Sequence, residues 1–124
     1  MSKLEKQVMR EIRIALETLE AEGAIHWFER LNSGKVKTEY GGYVQLCRQG
    51  TPDFIVVMPS KYGLVLYFIE AKSDTGKQSI QQVLFADKCK GWAIYEVVID
   101  VKQVKATVER VTGFYAQKLR GIEL

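Results

Sequence analysis

Gly50-Thr51-Pro52-Asp53-Phe54-Ile55-Val56-Val57-Met58, then Pro59-Ser60-Lys61-Tyr62-Gly63, then Leu64-Val65-Leu66-Tyr67-Phe68-Ile69-Glu70-Ala71-Lys72: this stretch decides the fold. Two runs rich in β-branched and aromatic residues flank a short segment bearing Pro and Gly, the pattern of a β-hairpin. Closing the hairpin brings its open ends together, so Asp53 and Glu70 become neighbours. Like charges facing each other across a sheet repel. A cation between them removes the conflict, and hard divalent ions such as Mg²⁺ take carboxylate oxygens. Glu70 and Lys72, two apart on one strand, project to the same face, which sets an ammonium beside the pair. Register is the test of this reading. With Pro59 to Gly63 as the loop, Met58 faces Leu64 and Asp53 faces Ile69 rather than Glu70. A one-residue slip turns every side chain over. The juxtaposition therefore requires a loop one residue longer or shorter, or a bulge, a frequent device beside active sites.

Taken singly, Glu-x-Lys is an exposed ion pair of little worth, and Pro-Asp is a turn signal. Joined to two hydrophobic strands, they point to a site. Together these residues resemble the signature of the PD-(D/E)xK nucleases. With Gln82 ten residues beyond Lys72, the form is similar to the VRR-NUC branch, which includes stand-alone phage proteins and the nuclease domains of larger repair enzymes. The likeness runs from the first helix to the strand after Gln82. It implies an α/β fold with a restriction-endonuclease-like core, a mixed β-sheet flanked by helices in the order αβββαβ plus a C-terminal helix. It also implies Mg²⁺ or Mn²⁺ held by Asp53, Glu70 and the Ala71 carbonyl, with Lys72 positioning the nucleophile or stabilising developing charge. The reaction implied is hydrolysis of DNA phosphodiesters, leaving a 5′-phosphate and a 3′-hydroxyl. Stand-alone relatives resemble Holliday-junction resolvases, which implies a structure-selective endonuclease acting on branched DNA as a homodimer. A nuclease for duplex or flap DNA, and a non-catalytic nucleic-acid-binding module of the same fold, are the alternatives.

The rest of the chain is consistent with one domain spanning residues 1–124. A hydrophobic share of 47% with 27% charged residues is ordinary globular composition. No apolar run approaches a membrane span and no signal segment opens the chain, so an intracellular location is expected. The net charge of +3, from 18 basic and 15 acidic residues, permits nucleic-acid binding without demanding it. Cys47, Cys89 and the single His26 follow no zinc-ligand spacing, which disfavours nucleases built on zinc or on a catalytic histidine.

In chain order, Leu4, Val8, Ile12, Leu16 and Leu19 recur at helical spacing and predict a helix from about Ser2, its N-cap, to Glu22. Glu5 lies on the edge of that stripe. In the family a glutamate on the first helix assists the metal site, and Glu5 fits this place, with Glu11 a rival. The plain alternative is a solvated carboxylate near the helix N-terminus. A strand is expected over Ala24 to Leu31, closed by Asn32-Ser33-Gly34, a turn whose amides could meet a phosphate or simply close a hairpin. Lys35 to Tyr40 and Tyr43 to Arg48 read as further strands. Arg30, Asn32, Ser33, Lys35, Arg48 and Lys77 are the candidate DNA-backbone contacts, against the default of a solvated face. A helix is expected from Ser79 to Lys90. There Gln82 either completes an S-x-x-Q capping box with Ser79 or, as in the family, projects toward the metal site, the use favoured here. Trp92 to Ile99 should return parallel to the strand ending at Ala71. Asp100 then caps a last helix with a core stripe of Val101, Val104, Val108, Val111, Tyr115 and Leu119, which Phe114 and Ile122 could extend into a subunit contact.

Overall fold

Val8, Ile12, Ala15 and Leu16 recur at steps of three and four, and all four are buried along one side of α1 (Glu5–Ala21). The computed structural model describes residues 3–32 and 34–123, apart from the side chains of 114–123. α1 starts later than a cap at Ser2 predicts, and Ser2 lies outside the described residues. The Leu4 amide instead donates to Gln7 Oε1 at 3.0 Å. Leucine has no oxygen to return the bond, so this is half a capping box. At the other end Gly23, at φ 80°, donates its amide to the Glu20 carbonyl, a left-handed terminus that suits glycine.

The remaining elements are β1 (Trp27–Arg30), β2 (Lys35–Lys37), β3 (Tyr43–Gln45), β4 (Phe54–Ser60), β5 (Gly63–Ala71), α2 (Ile80–Cys89), β6 (Ile94–Val98) and α3 (Val101–Glu123). The main sheet has the order β1-β4-β5-β6, antiparallel except for β6, which runs parallel to β5 after the α2 crossover. This is the expected α/β architecture: αβββαβ and a final helix, with one insertion. β2 and β3 do not join the sheet. They pair only with each other, as a ribbon whose six residues are all exposed. β1 and β2 therefore lie in separate sheets and form no hairpin with each other. Asp100 caps α3 as expected, its Oδ1 accepting the Lys102 amide at 2.9 Å. The roles read for Phe114, Tyr115, Leu119 and Ile122 lie outside the described side chains.

The register of the β4–β5 hairpin settles the question left by the sequence. Phe54 pairs with Ile69, Pro59 with Leu64 and Ser60 with Gly63, so only Lys61 and Tyr62 form the loop. Pairing thus continues through Pro59, which looked like the start of the loop. The Val57 carbonyl takes the His26 amide on the β1 side, and β1 pairs no further along than Val57. Pro59, two residues on, points the same way past the end of β1, where its missing N–H costs nothing. Gly63 takes φ 118°, while Ser60 Oγ accepts the Tyr62 amide and donates to the Gly63 carbonyl. The positive φ at the residue closing the turn is the place for glycine.

One face of the sheet carries the core. Phe54, Val56 and Met58 of β4, Tyr67, Ile69 and Ala71 of β5, and Val98 of β6 pack with α1 and with Val104 and Val108 of α3. Each large apolar side chain fully removed from water contributes about 1.5–3 kcal/mol. Glu96 lies among them, accepting hydrogen bonds from the Tyr67 hydroxyl and from Thr107 Oγ1. On the opposite face, α2 sets Phe85 edge-on to Phe68 with ring centroids 5.2 Å apart. Among the described residues no helix is long and apolar enough to cross a membrane.

Candidate active site

The residue before β4 is Asp53, and the two-residue loop places it level with Glu70 in the ladder. Its own amide breaks step, donating to Ile69 O at 2.9 Å, one position off the register, while its carbonyl still takes the Leu31 amide from the β1 side. A shorter loop and a bulge-like offset therefore both occur, and together they aim the Asp53 carboxylate across the end of the sheet. There Oδ2 accepts the Ala71 amide at 2.8 Å and Oδ1 lies 3.8 Å from Arg30 Nη1. Arg30 is held by its own donations to the carbonyls of Leu31 and Asp53.

The turn that delivers Asp53 depends on Gly50. This residue takes φ 89°, and a Cβ there would stand 2.5 Å from the Gln81 carbonyl oxygen on α2. Only glycine combines that backbone with that approach.

Glu70 is 3% exposed, and its Oε1 is buried with no hydrogen-bond partner. Burial first, then the neighbouring Asp53 carboxylate, pushes its pKa up to about 9; Lys72 opposes the shift and Glu5 adds to it. A buried carboxylate oxygen without a partner is costly, and a cation is what such an atom lacks. Ala71 is fully buried on the core face, so its backbone is what it can offer. Lys72 shares the Glu70 face; its amide goes to Val98 O, and its Nζ lies 3.9 Å from Glu5 Oε1. The alternatives on α1 thereby separate: Glu5 stands beside Lys72, whereas Glu11 pairs with Lys3 at 2.8 Å.

Gln82 is found in the capping box, contrary to the use favoured from sequence. Its Oε1 accepts the Ser79 amide at 2.8 Å while Ser79 Oγ accepts the Gln82 amide. Those bonds satisfy two amides that the first turn of α2 would otherwise leave open. The Gly34 amide is also less free than expected, because it donates to Asn32 Oδ1 at 2.8 Å. Ser33 lies outside the described residues. Lys35, Arg48 and Lys77 are exposed, without an ion pair among the described residues. Two groups that sequence reasoning missed are Tyr95 and Gln78. Tyr95 pairs in register with Phe68, on the same face as Glu70, and Gln78 Nε2 donates to its hydroxyl at 3.1 Å. Burial pushes Tyr95 up to about 12, with further contributions from Glu70 and Asp53. No local motif marks either residue, since only strand pairing brings β6 to this face.

Among the described residues no group of three His, Cys, Asp or Glu gathers. An ion at the end of this sheet would therefore rest on two carboxylates, completed by a backbone carbonyl, water and phosphate oxygen. That is a donor set Mg²⁺ accepts. The profile of the VRR-NUC domain matches residues 2–103, taking in the whole hairpin, α1, α2 and β6.

The chain belongs to the VRR-NUC family.

VRR-NUC domains have the PD-(D/E)xK nuclease fold, in accord with the mixed sheet flanked by helices. Membership makes this chain a nuclease-type DNA-processing protein. Comparison with curated proteins and with solved structures found no match.

Proposed function

We propose that the chain is a divalent-metal-dependent endodeoxyribonuclease, selective for branched DNA and acting as a homodimer. The observation that supports it best is the buried, unpartnered Glu70 Oε1 set against Asp53, with Lys72 on the same face. Asp53, Glu70 and the Ala71 carbonyl would hold Mg²⁺ or Mn²⁺, whose chemistry is charge neutralisation on the phosphate and a more acidic water. Lys72 lies beside the carboxylates, where its ammonium holds the attacking water or a non-bridging oxygen as negative charge builds. Glu5, 3.9 Å from the amine, orients it. In the displacement, the water oxygen bonds to phosphorus and the bond to the 3′-oxygen breaks. The attacking water gives up a proton to solvent and the departing 3′-oxygen takes one up, so it leaves as a hydroxyl and the phosphate stays on the 5′ end. Gln82 serves the helix cap and acts on the site only through the placement of α2.

Paired cuts across a junction need two such sites, and a two-fold dimer supplies them. Ile80, Val83 and Leu84, all exposed along α2, offer an apolar surface for that contact. The deciding experiment presents four-way junction, flap, nicked and linear DNA to the protein with Mn²⁺, with Mg²⁺ and with chelator. Symmetric cutting of the junction, lost in chelator and in Asp53→Asn and Lys72→Ala, is the expected result. Faster cutting of flap or linear duplex would reassign the substrate. Binding without cleavage by wild type and variants alike would leave a non-catalytic module.

A further inference from the structure

On the α1 side of the sheet, at the end where Asp53 sits, lies a cleft of about 440 Å³ lined by Lys6, Met9, Arg10, Arg13, Arg30 and Phe54. Lys6, Arg10 and Arg13 are spaced four and three residues apart, which puts them on one face of α1. Arg30 reaches the same cleft from β1, its guanidinium 5.8 Å from the centre of the Phe54 ring. Four cations around one concavity repel each other unless an anion enters. The acidic neighbours do not cancel them. Arg13 has Glu17 at 3.8 Å, with both side chains about 60% exposed (60% and 61%), and Arg30 has Asp53 at 3.8 Å. Among the described residues, the Lys6 and Arg10 side chains have neither an ion-pair nor a hydrogen-bond partner. A cleft lined by one sign of charge concentrates counter-ions, and phosphates take most protein–DNA hydrogen bonds.

We propose that this cleft is a second phosphate site: Lys6, Arg10 and Arg13 receive backbone phosphates of the DNA strand next to the one being cut, and Arg30 links the two places. The direction follows from α1 itself. Its first residue, Glu5, touches Lys72 at the carboxylate centre, and the three cations continue from there along the helix. The strand therefore leaves the site along α1. The assignment takes DNA as the substrate, as above, and adds where the flanking backbone lies.

The test measures DNA binding in chelator, where no cleavage occurs, against salt concentration. Lys6→Gln/Arg10→Gln keeps good helix formers at exposed positions, and circular dichroism verifies the fold. Each lost phosphate contact reduces the slope of log K against log[salt] by about 0.9, so the double variant should be shallower by about 2. Arg10→Glu should weaken binding further, and Lys61→Gln, at the far tip of the hairpin, should leave the slope unchanged. Duplexes carrying one neutral methylphosphonate at successive positions supply a second reading. One or two positions on a single side of the cut should weaken wild type and not the double variant. An unchanged slope, or no such position, in a protein that cuts DNA overturns the cleft and leaves the nuclease standing. A reduced slope with a matching neutral position in a protein that never cuts supports the cleft while the nuclease reading falls.

Discussion

At the scale of single residues, Glu70 is where the fold and its use are in conflict. Its pKa, raised from 4.5 to about 9, means that the folded chain holds a proton the unfolded chain has released across that interval. Stability of the metal-free protein therefore falls as pH rises from about 4.5 to about 9, because the unfolded state binds fewer protons there. Urea titrations in chelator should show the midpoint dropping over that range for wild type and dropping less for Glu70→Gln. Equal profiles for the two would remove the buried carboxylate as the cause. Glu70→Gln should also abolish cleavage, so stability and activity move in opposite directions at pH 8. Lys72 is a cleaner probe of chemistry. Its backbone amide bonds Val98 O whatever the side chain. Lys72→Ala should keep the fold and lower kcat by about two to three orders of magnitude, the scale of removing one charge-stabilising donor.

Among the elements, the β4–β5 hairpin and α2 carry separable tasks, and two glycines divide them. Gly63 takes φ 118° at the tip remote from Asp53, and Gly50 takes φ 89° where the site loop meets α2. Gly63→Ala should destabilise by about 1–2 kcal/mol and leave kcat of the folded protein unchanged. Gly50→Ala adds a collision with the Gln81 carbonyl to the same backbone strain, so it should lose both stability and cleavage. If both variants behaved alike, the loop–helix contact would not be what positions Asp53. The cap of α2 allows a parallel test. Ser79→Ala should cost about 1 kcal/mol, whereas Gln82→Glu, which a capping box accepts, should keep both stability and activity. A Gln82→Glu protein with full stability but no activity would show that the side chain leaves the cap for the site.

For the molecule as a whole, the sheet is asymmetric. One face is closed by α1 and α3 around the core; the other carries Glu70 and α2, and at the end of the sheet Asp53 meets Arg30 and Lys72 meets Glu5. A ligand that binds the folded state alone stabilises it by about 2.7 kcal/mol at a hundred times its Kd. Mn²⁺ or Mg²⁺ should therefore raise the melting temperature, and more so at pH 8 than at pH 6, since the proton on Glu70 competes with the ion. Asp53→Asn and Glu70→Gln should each erase that pH-dependent part. A melting temperature insensitive to either ion at both pH values would separate the acidic pair from metal binding.

The order of elements, the hairpin and the parallel return of β6 could all be read along the chain. Each rests on local periodicity and turn chemistry, which neighbouring residues determine. Register could not be read, because Pro59 looks like loop until one knows that β1 pairs no further along β4 than Val57 and leaves that side of β4 open beyond it. Gln82 was equally undecidable, since capping box and metal-site motif use the same letters and only the position of Ser79 selects between them. Tyr95, the choice of Glu5 over Glu11, and the basic cleft of α1 against Arg30 are contacts between elements distant in sequence. Periodicity shows which face a residue occupies; packing alone decides what that face meets.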